Sequence, residues 1–351
     1  MWKPTGSEAE VRAVILNPIR QEGGDRIKAQ GGADERLSKD VTRETGRRYA
    51  MKRTALASLA VVVLAALTVG CTVAAASEYA HPEALASTEW LAEHLDDPTV
   101  RVIAMSDFRL PTFKDSYTAG HIPGAIYLNG MIELSNPESA VPMIVLPPEG
   151  FEALMGRLGI NSGTTVVVYD DTGGLWAARL WWELRYYGHE DVKLLNGGLA
   201  KWAAEGRPLE TVEVAPSPTT FKACVVPELR AAIDDVKLAI GNPDVRIIYA
   251  LPEPMYLAGH IPSARNLPAP SNLDPETVTV LPMEELTQLW GSIDLQPDQL
   301  AITYCGGGYY GSFDLFILYL MGHEKAALYD GSWIEWSSNP ELPVESCAAE
   351  T

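Results

Sequence analysis

The feature that most constrains the fold of this chain is an internal repeat. The stretch Tyr117–Asn129 (YTAGHIPGAIYLN) returns 139 residues later as Tyr256–Pro268 (YLAGHIPSARNLP). Three further landmarks recur in the same order: Asp97–Ile103 as Asn242–Ile248, Gly188–Glu190 as Gly322–Glu324, and Trp202 as Trp336. The order of the landmarks is constant, and the number of residues between matching landmarks changes as loop insertions would change it. The sequence therefore predicts two copies of one domain of about 125 residues.

Each copy alternates short apolar, β-branched runs with helical stretches. The predicted strands are Val100–Ala104, Thr165–Tyr169, Val245–Tyr249 and Leu300–Tyr304. The predicted helices are Ala177–Tyr187, Leu199–Glu205 and Ser312–Met321. Alternation of this kind predicts the α/β class, with a mainly parallel sheet flanked by helices in each copy. The domain boundaries predicted from the repeat are 84–210 and 224–346, with the Pro- and Thr-containing residues 211–223 as linker.

The N-terminal part of the chain differs in character from the repeat. Residues 1–50 are polar and aperiodic, so we predict a disordered or non-native extension. Residues 51–76 begin with Met51 and a basic pair, continue through the apolar run Ala55–Val69, and end in small residues. That order is typical of a signal peptide, and the run is shorter than the about 20 residues of a membrane-spanning helix. We expect translation to start at Met51 and the chain to be exported, with an uncleaved signal anchor as the alternative.

The sequence offers two alternative processing sites for this signal peptide. Thr68–Cys71 resembles a bacterial lipobox, in which a lipid on Cys71 would attach the protein to a membrane at the cell envelope. Ala74–Ala76 fits an ordinary signal peptidase, which would release a periplasmic protein that begins at Ser77.

The charge of the chain is strongly asymmetric. The sequence has 27 Lys and Arg against 46 Asp and Glu, and residues 1–70 hold 12 of the basic but only 8 of the acidic side chains. The rest of the chain therefore carries 15 basic and 38 acidic side chains. A body of that charge repels phosphate backbones, which argues against nucleic acid as a partner and leaves small-molecule chemistry or protein contacts.

Cys305 is the candidate catalytic residue. It follows a predicted strand and precedes the candidate substrate-binding residues Gly306, Gly307, Gly308, Tyr309 and Tyr310, with a helix predicted after them. In α/β sheets, reacting groups gather at the carboxyl ends of strands. A glycine turn can point its N–H groups inward, and together with a helix N-terminus it would lower the thiol pKa from its free value of about 8.5. The sequence therefore predicts a nucleophile, with a buried structural cysteine as the alternative.

The repeat separates candidate catalysts from structural residues. Asp170 takes the place of Cys305 in the first copy, so only the second copy is predicted to be active. Four histidines recur in both copies, and we expect them to be structural hydrogen-bonding groups: His121 with His260, and His189 with His323.

The other cysteines leave two alternatives. Cys224 and Cys347 lie at the two ends of the second copy and either form a disulfide or remain free thiols. No Cys/His cluster has the spacing of zinc ligands, so we expect neither a metal nor a cofactor.

With the Gly-His-Ile-Pro turn in both copies and a cysteine loop in the second copy only, the sequence resembles the tandem-domain rhodaneses, a family of sulfurtransferases. The resemblance covers about residues 84–346. The first copy carries the family's stretch in Val166–Asp170, Ala177–Arg179, Trp181-Trp182, Leu184-Arg185 and Asn196–Gly198 ahead of Trp202. The family has Asp in place of the catalytic cysteine in its inactive N-terminal copy, as at Asp170, and Cys305–Tyr310 has the length of its six-residue active-site loop.

The resemblance implies two tandem rhodanese-like domains and a reaction. Cys305 would attack the outer sulfur of a small-molecule donor, become a persulfide, and pass that sulfur to cyanide or a thiol. The N–H groups of Gly306–Tyr310 would hold the persulfide. Thiosulfate is the default donor of the family.

The loop departs from the family in its charge. Thiosulfate-preferring members usually carry basic residues in the loop, whereas mercaptopyruvate sulfurtransferases have Cys-Gly-Ser-Gly and Arg residues before the second Gly-His-Ile-Pro turn. Here the loop is uncharged, and Tyr249–Leu251 and Met255–Leu257 contain no Arg. The alternatives are therefore a 3-mercaptopyruvate sulfurtransferase and a non-catalytic envelope sulfur carrier. A Cys-x5-Arg phosphatase is disfavoured because Gly311 stands at the position of its arginine.

Overall fold

The computed structural model describes residues 78–105 and 112–347, which contain the repeated segments. The predicted extension, the signal peptide and the lipidation residue Cys71 lie outside the described residues. None of the described helices is long and apolar enough to cross a membrane.

The first copy forms a five-stranded parallel sheet. Its strands are β1 (Leu85–Ala86), β2 (Val100–Met105), β3 (Ile126–Leu128), β4 (Thr165–Tyr169) and β5 (Val192–Leu195). They are ordered β1-β5-β4-β2-β3, and every neighbouring pair is parallel. Its helices are α1 (Thr88–His94), α2 (Thr112–Ala119), α3 (Gly130–Glu133), α4 (Pro148–Arg157), α5 (Ala177–Tyr186) and α6 (Gly198–Ala204).

The second copy repeats this topology. Its strands are β6 (Arg230–Ala231), β7 (Val245–Tyr249), β8 (Arg265–Asn266), β9 (Leu300–Tyr304) and β10 (Ala326–Tyr329), in the order β6-β10-β9-β7-β8. Its α-helices are α7 (Ile233–Ala239), α8 (Glu253–Ala258), α9 (Met283–Gly291), α10 (Tyr309–Leu320) and α11 (Ser332–Trp336). Short 3-10 turns lie at Pro82–Ala84, Pro227–Leu229 and Ala269–Asn272.

The predicted strands and helices are confirmed to within one residue, except for the start of α10. This helix begins at Tyr309, three residues before the predicted Ser312. The reason is Gly308, whose left-handed φ of 89° completes the turn after Cys305. Tyr309 and Tyr310 therefore belong to the first helical turn rather than to an extended loop.

The two copies share one apolar core, because each sheet buries one face against the other copy. A single cluster of buried side chains contains residues from both, and α5 packs against α10 with Trp181 and Phe316 at a ring distance of 5.1 Å. A separate, smaller cluster covers the outer face of each sheet. We call the contact between α5 and α10 the seam. It matters for function because the loop after Cys305 ends in α10.

The Gly-His-Ile-Pro turn of each copy is fixed to the central strand of its sheet. The hydroxyl of Tyr169, the last residue of β4, accepts the N–H of Ile122 at 3.2 Å. In the second copy the hydroxyl of Tyr304 accepts the N–H of Ile261 at 3.0 Å. The repeated motif is therefore a structural support for the strand that precedes the loop.

Candidate functional site

Cys305 directly follows β9, the central strand of the second sheet, and is 3% exposed. Helix α11 holds its backbone: the N–H of Trp333 donates to the carbonyl of Cys305 at 2.9 Å, and that of Ile334 to the carbonyl of Gly306 at 3.0 Å. The N–H of Cys305 donates to the Ser332 hydroxyl at 3.2 Å. The carbonyls at the start of the loop are therefore bound by α11.

One N–H of the loop already points at the thiol. The N–H of Gly308 lies 3.1 Å from the Sγ of Cys305. Gly308 has a φ of 89°, and a Cβ at this position would lie 2.5 Å from the Nη1 of Arg179. Glycine is required here both by the backbone conformation and by the contact with the first copy. The first turn of α10 follows, and the leading N–H groups of a helix have no partner within it.

The first copy shows what the loop at the end of a central strand binds when an anion is present. Both oxygens of Asp170 accept backbone N–H groups: Oδ1 those of Thr172 and Gly174 at 2.8 Å each, and Oδ2 those of Trp176 and Ala177 at 2.7 and 2.9 Å. The donor Gly174 corresponds in the repeat to Gly308. Four converging N–H groups around one carboxylate define an anion cradle at the end of the central strand. The prediction that Asp170 is scaffold agrees with these contacts.

The predicted binding residues divide into two groups. Gly306, Gly307 and Gly308 form the turn around the sulfur. Tyr309 is 4% exposed, and its ring lies 5.1 Å from that of Trp176 in the seam. Tyr310 also packs toward Trp176, at 5.9 Å. Their side chains hold the two copies together, while their backbone lies in the first turn of α10.

A buried ionic cluster beside the loop was not found by sequence reasoning. Arg179 of α5 donates from Nε to Glu183 and from Nη1 to Asp330, both at 2.7 Å, and all three side chains are at most 1% exposed. Arg230 adds a contact to Asp330 at 3.3 Å. Burial raises the pKa of Glu183 to about 8, against the opposing effect of Arg179. The signal available in the sequence was an Arg and a Glu four residues apart on a helix whose other residues, apart from Arg185 and Tyr186, are apolar.

We call the side of the loop at Gly306 and Gly307 its mouth. The described atoms nearest to the Cβ positions of these two glycines belong to Leu251 and Met143, not to a cation. Leu251 lies beside Gly306, with its Cδ1 3.7 Å from the position a Cβ of that glycine would take. Tyr249, the last residue of β7, is 1% exposed. Burial, and after it the neighbouring Cys305, raises the pKa of Tyr249, so its phenol is neutral. Arg179, which contacts the loop at Gly308, is bonded to the side chains of Glu183 and Asp330.

Three of the four repeated histidines make structural hydrogen bonds, as the sequence predicts, whereas the Nε2 of His189 is buried without a hydrogen-bond partner. His121 and His260 are buried, stack on the tyrosine four residues earlier, and place Nδ1 2.8 Å from that tyrosine's carbonyl. His323 places Nε2 3.0 Å from the carbonyl of Gln299. Burial lowers the pKa of both His189 and His323.

Of the two alternatives for the remaining cysteines, the structure has the free thiols. Cys224 and Cys347 are both exposed and unpaired, while Cys305 is buried. The N–H of Cys224 donates to the carbonyl of Tyr187 and that of Cys347 to the carbonyl of Leu257. Each backbone is thus tied to a different part of the molecule.

The fold and the loop define a class of protein: a duplicated α/β domain whose central strand ends in an anion cradle in the first copy and in a cysteine loop in the second. The chain belongs to the rhodanese-like family, whose domain model matches residues 87–205 and 227–339. It is thus a member of a sulfurtransferase family.

Characterised relatives match almost over their full length. The sulfur carrier protein TtuD of Thermus thermophilus is 37% identical over 287 residues, which cover 76% of this chain and 98% of the relative. The 3-mercaptopyruvate sulfurtransferase of Escherichia coli is 34% identical over 276 residues, covering 73% and 96%. The crystal structure of the 3-mercaptopyruvate sulfurtransferase SseA from Escherichia coli superposes with a TM-score of 0.65 at 33% identity, over 71% of this chain and 98% of that one.

A more distant relative extends the chemistry of the fold. The structure of an EanB variant with a cysteine persulfide, in a tetrahedral intermediate state with ergothioneine, has a TM-score of 0.70 at 27% identity. The match covers 77% of this chain and 72% of that one. The relatives thus include sulfurtransferases and a sulfur carrier.

Proposed function

We propose that this protein moves a sulfane sulfur from thiosulfate to cyanide or a thiol through a persulfide on Cys305. The thiolate attacks the outer sulfur of thiosulfate, the S–S bond of the donor breaks, and sulfite leaves with the electron pair. Cyanide then attacks the outer sulfur of the persulfide, thiocyanate departs, and the Cys305 thiolate is restored. Each half-reaction exchanges one bond to sulfur for another, so no external oxidant or reductant is needed.

The observation that carries the proposal is the anion cradle. The N–H of Gly308 points at the Cys305 sulfur at 3.1 Å, and its counterpart in the first copy, that of Gly174, is one of four that bind the Asp170 carboxylate. A persulfide anion on Cys305 would place its charge where the Asp170 carboxylate places its own. Donors that are already oriented stabilise a developing charge without reorganisation.

Two alternatives have specific support. The 3-mercaptopyruvate sulfurtransferase of Escherichia coli is similar over most of this chain, which makes 3-mercaptopyruvate the alternative donor. The similarity to the sulfur carrier protein TtuD, together with the uncharged loop, supports a carrier that holds a persulfide for a partner protein.

The test is thiocyanate production from cyanide with either donor, by the purified protein and its Cys305→Ser variant. Turnover with thiosulfate that the substitution abolishes supports the proposal, and faster turnover with 3-mercaptopyruvate assigns that donor instead. Formation of the persulfide without turnover in excess cyanide supports the carrier. A Cys305→Ser variant that retains turnover contradicts all three.

We also propose that the protein acts at the cell envelope. The support is the order of basic, apolar and small residues in 51–76. Expression in a bacterial host followed by fractionation tests this, and Cys71→Ala separates a lipid anchor from simple cleavage before Ser77. Recovery of the unprocessed chain in the cytoplasm would contradict the proposal.

A further inference from the structure

Each loop at the end of a central strand is capped by a residue of the other copy. Met143 of the first copy lies over Gly307, where a Cβ would clash with its Cε and lie 2.7 Å from its Sδ. Val278 of the second copy lies over Gly173, where a Cβ would clash with its carbonyl oxygen and lie 3.2 Å from its Cβ. The two capping residues are 135 positions apart and both have left-handed φ angles, 63° and 51°. The duplication has thus produced two caps, and Met143 covers the loop that carries the cysteine.

The cap over Cys305 is held by the buried ionic cluster. The carbonyl of Met143 accepts a hydrogen bond from Nη2 of Arg179 at 3.0 Å, and the N–H of Val145 donates to Oδ2 of Asp330 at 3.1 Å. Non-glycine residues adopt a left-handed conformation only where the surroundings enforce it. These bonds fix the Met143 backbone, so its side chain has a defined place over the loop.

The cap over Asp170 is held differently. At the repeat positions of Arg179 and Glu183 the second copy has Phe313 and Ile317, so this side of the seam carries no matching ion pair. The N–H of Val280 is bound instead by the neutral amide of Asn196, at 2.9 Å. The ionic support therefore belongs to the cap on the catalytic side.

The consequence is a mouth whose nearest described side chains are apolar. Met143 covers Gly307 and Leu251 lies beside Gly306, while the guanidinium of Arg179 is held in its bonds to Glu183 and Asp330. A reactant that brings negative charge to this mouth loses its bound water and gains no counter-ion there. An uncharged reactant of the same size has a smaller desolvation penalty.

We propose that Met143 is the specificity-determining residue of the site, which limits the binding of anionic donors and favours uncharged sulfur compounds. This inference rests on the proposed function, which it deepens. Thiosulfate, a dianion, is then a weakly bound donor whose KM is set by Met143. The protonated form of an organic persulfide is an uncharged donor of the favoured class: the Cys305 thiolate bonds to its outer sulfur, its S–S bond breaks, and its inner sulfur leaves as the thiolate with the electron pair.

Alkylation of the intact protein tests the mouth without any sulfur transfer. Neutral iodoacetamide and anionic iodoacetate differ mainly in charge, and peptide mass spectrometry follows each cysteine separately. We expect the iodoacetamide-to-iodoacetate rate ratio at Cys305 to exceed that at the exposed Cys224 and Cys347 by about tenfold. Equal ratios at the three cysteines would overturn the proposal.

Matched substitutions assign the effect to Met143. Met143→Lys brings an ammonium group to the mouth and should lower the Cys305 ratio by about tenfold, whereas Val278→Lys, at the inactive cap, should leave it unchanged. Met143→Gly, which fits the left-handed backbone, removes the cap without strain and should lower the ratio toward that of the exposed cysteines. A ratio that stays high in both Met143 variants, or that falls equally in Val278→Lys, would overturn the assignment.

Turnover then separates the two proposals. In Met143→Lys the KM for thiosulfate should fall about tenfold while kcat stays within about twofold. An unchanged KM would contradict the role of Met143 in donor choice. If neither protein turns over any donor but the alkylation ratios behave as expected, the charge selectivity of the mouth stands and the proposed sulfur transfer fails.

Discussion

At the residue scale, the two copies place different side chains in the same backbone cradle. Asp170 supplies its own negative charge and binds four N–H groups, whereas Cys305 receives the N–H of Gly308. The Asp170 carboxylate is part of the chain, so the negative charge in the first loop cannot leave. A sulfur atom carried on Cys305 can be exchanged, which is what sulfur transfer requires.

Removing the Asp170 carboxylate should destabilise the first copy. Asp170→Ala leaves the buried donors of its loop without an acceptor, and we expect the free energy of unfolding to fall by about 3 kcal/mol. Urea denaturation measures the change. Glu93→Ala, which removes an exposed carboxylate from α1, should leave the unfolding curve almost unchanged. Equal stability of Asp170→Ala and wild type would mean that the carboxylate does not organise the loop.

Asp314 is a buried carboxyl group whose contribution to the free energy of unfolding depends on pH. It is 0% exposed in α10, its Oδ1 accepts a hydrogen bond from Asn272 at 3.0 Å, and its Oδ2 has no hydrogen-bond partner. Burial raises the pKa of Asp314 well above its ordinary value. Because the folded pKa is raised, the protonated form stabilises the fold, and this contribution is lost as the pH rises from the unfolded toward the folded pKa.

The variant Asp314→Asn should therefore gain stability over wild type as the pH rises. We expect similar unfolding free energies near pH 4 and an advantage of about 2 kcal/mol for the variant near pH 8. Urea denaturation across this range measures the difference. A difference that does not change with pH would show that Asp314 titrates at its ordinary value.

At the scale of elements, the short turn between β9 and α10 sets the site. Gly308→Ala forces a Cβ into a left-handed position and against the Nη1 of Arg179 at 2.5 Å. We expect a loss of about 3 kcal/mol of stability and loss of persulfide formation. Gly124→Ala is the matched control, because Gly124 has a φ of 76° with nothing within 4 Å of its Cβ position. That variant should lose about 1 kcal/mol and keep its activity, and equal losses in both would exclude the contact with Arg179 as the cause.

The same turn marks the limit of prediction from sequence. The strands that carry Asp170 and Cys305 follow from their apolar, β-branched composition, and β4 and β9 have the predicted bounds. The start of α10 does not follow from composition. The loop has three consecutive glycines, and the sequence does not say that Gly308 is the one with the left-handed conformation that ends the turn. Local composition gives the choice of conformations, and the contacts of Gly308 with the first copy select one.

At the scale of the whole molecule, duplication explains both what was predictable and what was not. The order of repeated landmarks is sufficient to predict two α/β copies with one active loop. The Arg179–Asp330 pair and the contact of Met143 with Gly307 join residues of different copies, and no local pattern predicts which distant segments will meet. The inactive copy therefore does more than stabilise its partner, since it supplies the cap of the active loop and the arginine that holds the cap.

The central claim is that Cys305 carries a transferable sulfur, and mass spectrometry of the intact protein tests it most directly. After incubation with thiosulfate or 3-mercaptopyruvate, the peptide that contains Cys305 should gain the mass of one sulfur atom. Cyanide should remove this mass and release an equal amount of thiocyanate, and Cys305→Ser should gain nothing. A sulfur found on Cys224 or Cys347 but not on Cys305, or one that cyanide does not remove, would contradict the account.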